Sequence, residues 1–221
     1  MQNVFRNMIK ISPSLLSADF ADFRSAVVEL EECGADLVHC DVMDGMYVPN
    51  ITFGMNTISA LKKYTKLPLD VHLMIMCPER YLEGFITAGA NIISFHENST
   101  KEAAKIIQII RSNGLKAGLA INPDIDIGTL YPYLDELDVV IVMSVYAGFG
   151  GQKFIPEILY KIGELKRIIR ESGLYTQVEI DGGVTLENAK SIRDAGVDII
   201  VAGNCIFSSE DKRAAIDKLK S

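Results

Sequence analysis

His39 and Asp41 stand one residue apart in VHCDVMDGMYVPN, residues 38–50, and Met43 follows at the same interval. Side chains on a strand alternate between faces, so these three point one way. LDVHLMI at 69–75 repeats the spacing with Asp70, His72 and Met74, and VEID at 178–181 places Glu179 and Asp181 on one face. Imidazoles and carboxylates on the inner face of a buried strand are costly unless something pairs with them. If those strand ends meet, His39, Asp41, His72 and Asp181 converge. Two imidazoles and two carboxylates suit a divalent metal, with zinc one candidate among several. A lone His is more often a satisfied core residue. Two of the chain's three His at strand ends, each spaced by two from an acid or Met, favour the ligand reading.

Asp41 and Asp181 can also do proton work. Placed on opposite sides of a substrate, one removes a proton and the other returns it to the opposite face. That inverts a carbon next to a carbonyl, and a nearby metal would act as a Lewis acid on the developing ene-diolate oxygens. The bland alternative for Asp181 is an ordinary DGG turn, and for Asp41 a turn cap, a role that suits Asp44 better. Met43, Met74 and Met143 are candidate pocket-lining residues that would exclude water, though each alone reads equally well as packing. Gly150-Gly151, Gly182-Gly183 and Gly203-Asn204 each follow a candidate strand. Backbone can approach an anion closely there, and three such loops in succession favour a phosphate cradle over simple turns. His96 ends a further strand as an outer partner of the site or a loop residue. Asn122-Pro123 reads as a strand-ending turn.

Eight apolar runs could carry these residues: 9–15, 36–41, 69–74, 91–96, 116–121, 139–145, 177–181 and 199–202. Stretches with helical spacing lie between them and after the last, among them 21–33, 101–113, 155–172 and 186–195. CGADLVHCD at 33, AGANIISFH at 88 and AGVDIIVAG at 195 share one plan, in which Gly ends a helix and an apolar strand begins. Alternating strands and helices imply parallel βαβ units. Eight of them suit a closed (β/α)₈ barrel, a TIM barrel, with its site at the C-terminal strand ends. A doubly wound open sheet would carry its glycine fingerprint after the first strand, where this chain reads SPSLLSADF. The expectation is one α/β domain over residues 1–221, with 1–8 a short N-terminal tail.

The 221 residues are 48% hydrophobic with a net charge of −7. No basic cluster points to nucleic acid, and no apolar run approaches the roughly 18 residues that span a membrane. Cys33, Cys40, Cys77 and Cys205 form no C-x-x-C pair and read as reduced thiols. The N-terminus MQNVFRNMIK lacks a signal-peptide core, so a cytoplasmic location is expected.

These segments together resemble the ribulose-phosphate 3-epimerase family. The resemblance runs in order from SPSLLSADF at 12 through VHCDVMDGMYVPN, LDVHLMI, ERYLEGFITAGANIISFH at 79, GLAINP at 118, GFGGQKFIPE at 148 and VEIDGGVTLENA at 178 to AGVDIIVAGNCIF at 195. It implies a (β/α)₈ barrel that interconverts D-ribulose 5-phosphate and D-xylulose 5-phosphate, a step of the pentose phosphate pathway. It implies one divalent metal ion per subunit on His39, Asp41, His72 and Asp181, with zinc favoured over Mn²⁺, Fe²⁺ or Co²⁺. Asp41 and Asp181 become the acid/base pair. Ser14, His72, the three methionines and Asp181 become substrate contacts, and Gly148, Gly150, Gly151, Gly182, Gly183, Gly203 and Asn204 hold phosphate. A homo-oligomer, dimer or hexamer, is also implied. Three positions depart from the family pattern. Tyr146 and Ala147 stand where Asn-Pro is usual, Asn204 where Ser or Ala is usual, and Cys40 where Val or Ile is common. The first two bear on the sugar, a pentulose or a hexulose such as D-allulose 6-phosphate, rather than on the reaction. A non-catalytic phosphosugar-binding barrel is the remaining alternative.

Overall fold

The computed structural model describes residues 8–221, so the expected N-terminal tail lies outside the described residues except for Met8. Eight strands form: β1 (Lys10–Pro13), β2 (Val38–Met43), β3 (Leu69–Met74), β4 (Ile92–His96), β5 (Lys116–Ile121), β6 (Val139–Met143), β7 (Gln177–Asp181) and β8 (Ile199–Ala202). All pairings are parallel, in the order β1-β8-β7-β6-β5-β4-β3-β2. The ring closes between β1 and β2, where Leu37 N donates to Ile11 O at 3.3 Å and Ser14 bridges to His39. This is the expected (β/α)₈ barrel, a single domain.

The helices are α1 (Phe23–Glu32), α2 (Met55–Leu61), α3 (Leu82–Ala88), α4 (Ala103–Ser112), α5 (Ile158–Glu171), α6 (Ala189–Asp194), α7 (Asn204–Phe207) and α8 (Lys212–Lys220). They are shorter than their apolar periodicity suggests because polar caps cut them. Asp22 accepts from Ser25 N ahead of α1, and Asp211 accepts from Ala214 N ahead of α8. The β5–β6 crossover has only a 3₁₀ turn, Ile127–Leu130, where regular alternation predicts a helix. Pro123, Gly128 and Pro132 in that short span explain it: each interrupts helical hydrogen bonding or adds backbone freedom.

Two apolar layers hold the ring. Outward-facing strand residues such as Val71, Leu73, Val140, Val142 and Ile180 pack against Val27, Ile106 and Ile162 of the helices. Cys40 belongs to this outer layer, facing away from the barrel interior as strand alternation requires. Leu37, Ile92, Val139 and Ile199, at the N-terminal ends of their strands, plug the interior. Gly118 on β5 also faces inward, where a methyl group would run into Ser94 Oγ on β4, so the strands meet there only because Gly has no side chain. Above the plug the interior turns polar: Ser12, His39, Asp70, His72, Ser94, His96 and Glu179 are all fully buried.

Candidate active site

Strand alternation brings His39 and Asp41 of β2, His72 of β3 and Asp181 of β7 together, as their spacing predicts. One ligand atom from each lies within 4.8 Å of all the others. His39 Nε2 stands 3.3 Å from Asp41 Oδ1 and 3.8 Å from Asp181 Oδ2. His72 Nδ1 stands 3.5 Å and 3.6 Å from the same two oxygens. Both nitrogens are buried with no hydrogen-bond partner among the described residues. A protein interior rarely leaves such atoms unsatisfied, and four N and O donors around one point could hold a metal ion.

The charges agree. Burial alone would strip the proton from His39, yet Asp41 and Asp70 hold it well above the ordinary imidazole range. Burial is likewise outweighed at His72, which Asp181 and Asp41 push up to about 9. Asp41 is held well below the usual carboxylate range despite its burial, chiefly by His39 and then His72. The carboxylates thus demand positive charge at this point. A cation that displaces the imidazole protons meets the same demand.

The ends of β1 and β2 shape Asp41. β1 is predicted to run to Leu15 but stops at Pro13, because Ser14 caps the 3₁₀ turn Leu15–Ser17, its Oγ accepting from Leu16 N at 3.1 Å. The Ser14 hydroxyl donates to Asp41 Oδ2 at 2.6 Å. Thr52 Oγ1 donates to Asp41 O at 2.6 Å and accepts from Met43 N, tying the 44–54 loop to the strand. β6 also ends early, at Met143, since Ser144 donates to Gly182 O and bends the chain toward the end of β7.

A cavity of about 360 Å³ opens over this cluster. Asp41 and Asp181 form part of its wall with Ser14, Met43, Met74 and Met143. Gly148, Gly150, Gly151, Gly182, Gly183, Gly203 and Asn204 line the same cavity, so the late glycine loops do share one space. Gly183 has φ +63°, and a Cβ there would lie 2.6 Å from Phe154 N. Only Gly lets the β7 and β6 loops approach so closely. His39 and His72 are not on the wall. They lie fully buried behind Asp41, so the direct substrate contact expected of His72 is not displayed on this surface. Tyr146 is 54% exposed, while Ala147 packs against Met43, Val48 and Met74. The Asn204 amide reaches toward Gly151.

Several neighbours of the cluster are less visible in the sequence. Ser17 Oγ occupies the space that a side chain at residue 203 would need, a proximity with no signature in SADF. Asp70 and Glu179 do have a signature, each lying two residues before a cluster member on the same face. Asp70 Oδ2 is 2.8 Å from His39 Nδ1, and Glu179 Oε1 is 3.3 Å from it. Burial and the nearby Asp70 push Glu179 up to about 8. His96 Nε2 is 3.0 Å from His72 Nε2.

A parallel eight-stranded barrel with titratable side chains and glycine loops gathered at its C-terminal strand ends defines the protein as a TIM-barrel enzyme. The chain matches the model of the ribulose-phosphate 3 epimerase family over residues 10–207. It is 44% identical to the ribulose-phosphate 3-epimerase of Bacillus subtilis, over 96% of this chain and 99% of that protein. The ribulose-phosphate 3-epimerase of Escherichia coli K12 is 44% identical, over 96% and 94%. The chain belongs to the ribulose-phosphate 3-epimerase family. Fold likeness extends to the crystal structure of 3-hexulose-6-phosphate synthase from Salmonella typhimurium, with TM-score 0.74 at 16% identity over 96% and 97% of the two chains. Among the described residues no helix is long and apolar enough to cross a membrane.

Proposed function

We propose that the protein inverts C3 of D-ribulose 5-phosphate to give D-xylulose 5-phosphate, with Asp41 and Asp181 as the proton-transfer pair. The observation that carries this reading is that both carboxylates, from strands on separate arcs of the barrel, line one cavity and face the same two imidazole nitrogens. The C3 proton is acidic because it is adjacent to the C2 carbonyl. One carboxylate removes it, the other returns a proton to the opposite face, and the reverse reaction exchanges their roles. The Ser14 hydroxyl steadies Asp41 through Oδ2 and keeps that oxygen from swinging away from the cavity. Met43, Met74 and Met143 keep bulk water from the reacting carbon. Backbone N–H groups of the 148–151, 182–183 and 203–204 loops would hold the phosphate.

His39, Asp41, His72 and Asp181 would hold one divalent ion, zinc by preference. The chemistry it would supply is Lewis-acid neutralisation of negative charge on the substrate oxygens next to C3.

The decisive experiment is epimerisation of D-ribulose 5-phosphate and D-allulose 6-phosphate side by side, before chelation, after it and after metal return. A higher kcat/KM on the pentulose, lost on chelation and restored by metal, is expected. A preference for the hexulose would favour the second reading, which rests on Tyr146, Ala147 and Asn204 lining the cavity. Binding of both sugars without turnover in the metal-loaded protein would sink the catalytic reading.

A further inference from the structure

All three histidines of the chain lie in one fully buried cluster. Ring centroids are 5.5 Å apart for His39 and His72 and 5.0 Å for His72 and His96. The His39 and His72 nitrogens facing the carboxylates differ: Nε2 on His39, Nδ1 on His72. Resting on the metal site proposed above, we infer that Asp70 and His96 are positioning residues that lock His39 and His72 in opposite tautomers, so that each turns a different nitrogen to the cation.

The argument runs from the outer nitrogens inward. His39 Nδ1 faces Asp70 Oδ2 at 2.8 Å and Glu179 Oε1 at 3.3 Å. A lone pair on Nδ1 would repel the carboxylate oxygen, so Nδ1 carries the hydrogen and donates it to Asp70. Ser12 Oγ donates to the same Asp70 oxygen at 3.2 Å and holds it in place. Nε2 is then free to offer its lone pair to the cation.

His72 is reversed. Its Nδ1 is the nitrogen near Asp41 and Asp181, and its Nε2 meets His96 Nε2 at 3.0 Å. Only one hydrogen fits between two such nitrogens. A cation on Nδ1 leaves the neutral His72 its hydrogen on Nε2, so His72 donates and His96 accepts. His96 must then keep its own hydrogen on Nδ1, which is buried without a hydrogen-bond partner among the described residues. That unmet donor has a cost, and an apolar side chain in its place would avoid it. Tyr47 packs at a tilt against the His96 ring, centroids 4.7 Å apart, while its hydroxyl donates to Asn98 and accepts from Asn122. Tyr47 is thus held over the His96 ring by residues after β4 and β5, and His96 Nε2 faces His72. One ligand has an anionic outer partner and the other a neutral one, so the two imidazoles would differ in basicity as donors.

The test is a long-range ¹⁵N–¹H correlation spectrum of the full chain, ¹⁵N-labelled at histidine and loaded with zinc. Three ring systems are expected, since the chain has three His. His39 should show Nδ1–H with Nε2 on the metal, His72 the reverse, and His96 Nδ1–H with an uncoordinated Nε2. One bound zinc with His39 protonated at Nε2, or His72 at Nδ1, would mean that this nitrogen does not ligate, and overturns this inference together with the placing of the ion between these atoms. No zinc bound overturns the metal site and this inference with it. Zinc affinity by chelator competition gives a second readout. Asp70→Asn and His96→Phe should each weaken binding by about 10–100-fold. His96→Gln should recover part of the loss, because its amide oxygen can accept from His72 Nε2. Unchanged affinity in folded Asp70→Asn and His96→Phe, with zinc on His39 Nε2 and His72 Nδ1, would overturn this inference and leave the metal site standing.

Discussion

Asp41 carries more constraints than any other acid in the cavity. It accepts from Ser14, faces both imidazoles and has a side chain 4% exposed, whereas the Asp181 side chain is 14% exposed. Asp41→Asn and Asp181→Asn should each lower kcat by several orders of magnitude while circular dichroism stays native; near-full turnover in either would remove that residue from the proton pair. Ser14→Ala is a milder probe. It strips one donor from a buried carboxylate, worth about 1.5–3 kcal/mol for a charged acceptor, and should lower both Tm and kcat without abolishing either. Proton linkage adds a third expectation at this scale. His72 in the folded chain sits at about 9, above its ordinary 6.5, so the folded state holds the extra proton across that window. Its contribution to stability is full below pH 6.5 and is lost as pH rises toward 9. Glu179, raised to about 8, acts in the same direction. The Tm of chelated protein should therefore fall from pH 6.5 to 9, while zinc-loaded protein, which keeps the Glu179 contribution but has no His72 proton to lose, should fall less; parallel curves would show that the metal does not replace that proton. Strand parity alone made His39, Asp41, His72 and Asp181 legible in the sequence, because alternation fixes the face without any knowledge of distance. The order of the outer partners was not legible: that Asp70 backs His39 and His96 backs His72 depends on strand stagger, which no local pattern encodes.

At the scale of elements, the boundaries of β1, β2 and β6 fell where a polar side chain found a use for the backbone. Ser14 ended β1 by capping a turn, Ser144 ended β6 by donating to Gly182 O, and Asp36 delayed β2 by accepting from Ile11 N. Apolar runs mark where a strand is buried, not where its hydrogen bonds are diverted, so existence and type were readable and boundaries shifted by one or two residues. The missing helix between β5 and β6 has the same origin, since alternation suggests a regular unit and Pro and Gly override it locally. Gly118 offers a direct test of how tightly the elements are fitted. Gly118→Ala places a methyl against Ser94 across β4 and β5 and should cost about 1–3 kcal/mol by overpacking. Adding Ser94→Gly should return most of that loss, a non-additive result that urea denaturation of the single and double variants would read. Strict additivity would mean the strain falls elsewhere.

The site exists only when the whole ring is closed. Ser14 directly follows β1, His39 and Asp41 come from β2, His72 from β3 and Asp181 from β7, so residues far apart in the chain meet across the β1–β2 seam and through the barrel interior. No half of the chain carries the complete cluster, and an unfolded chain presents no preformed arrangement of these four. A ligand that binds the closed barrel and not the open chain must therefore stabilise the entire molecule. Zinc at a hundred times its dissociation constant should add about 2.7 kcal/mol. For a chain of this size each kcal/mol is worth about 2–4 °C, so Tm should rise by roughly 5–11 °C. His72→Ala should abolish most of that rise, since it removes one of four donors and leaves His39 alone facing the two carboxylates. A surface variant such as Tyr175→Ser, at a residue 98% exposed, should keep it in full. An equal zinc-induced rise in wild type and His72→Ala would place the ion elsewhere on the barrel, and no rise in wild type would mean that the cluster's charges are met by protons alone.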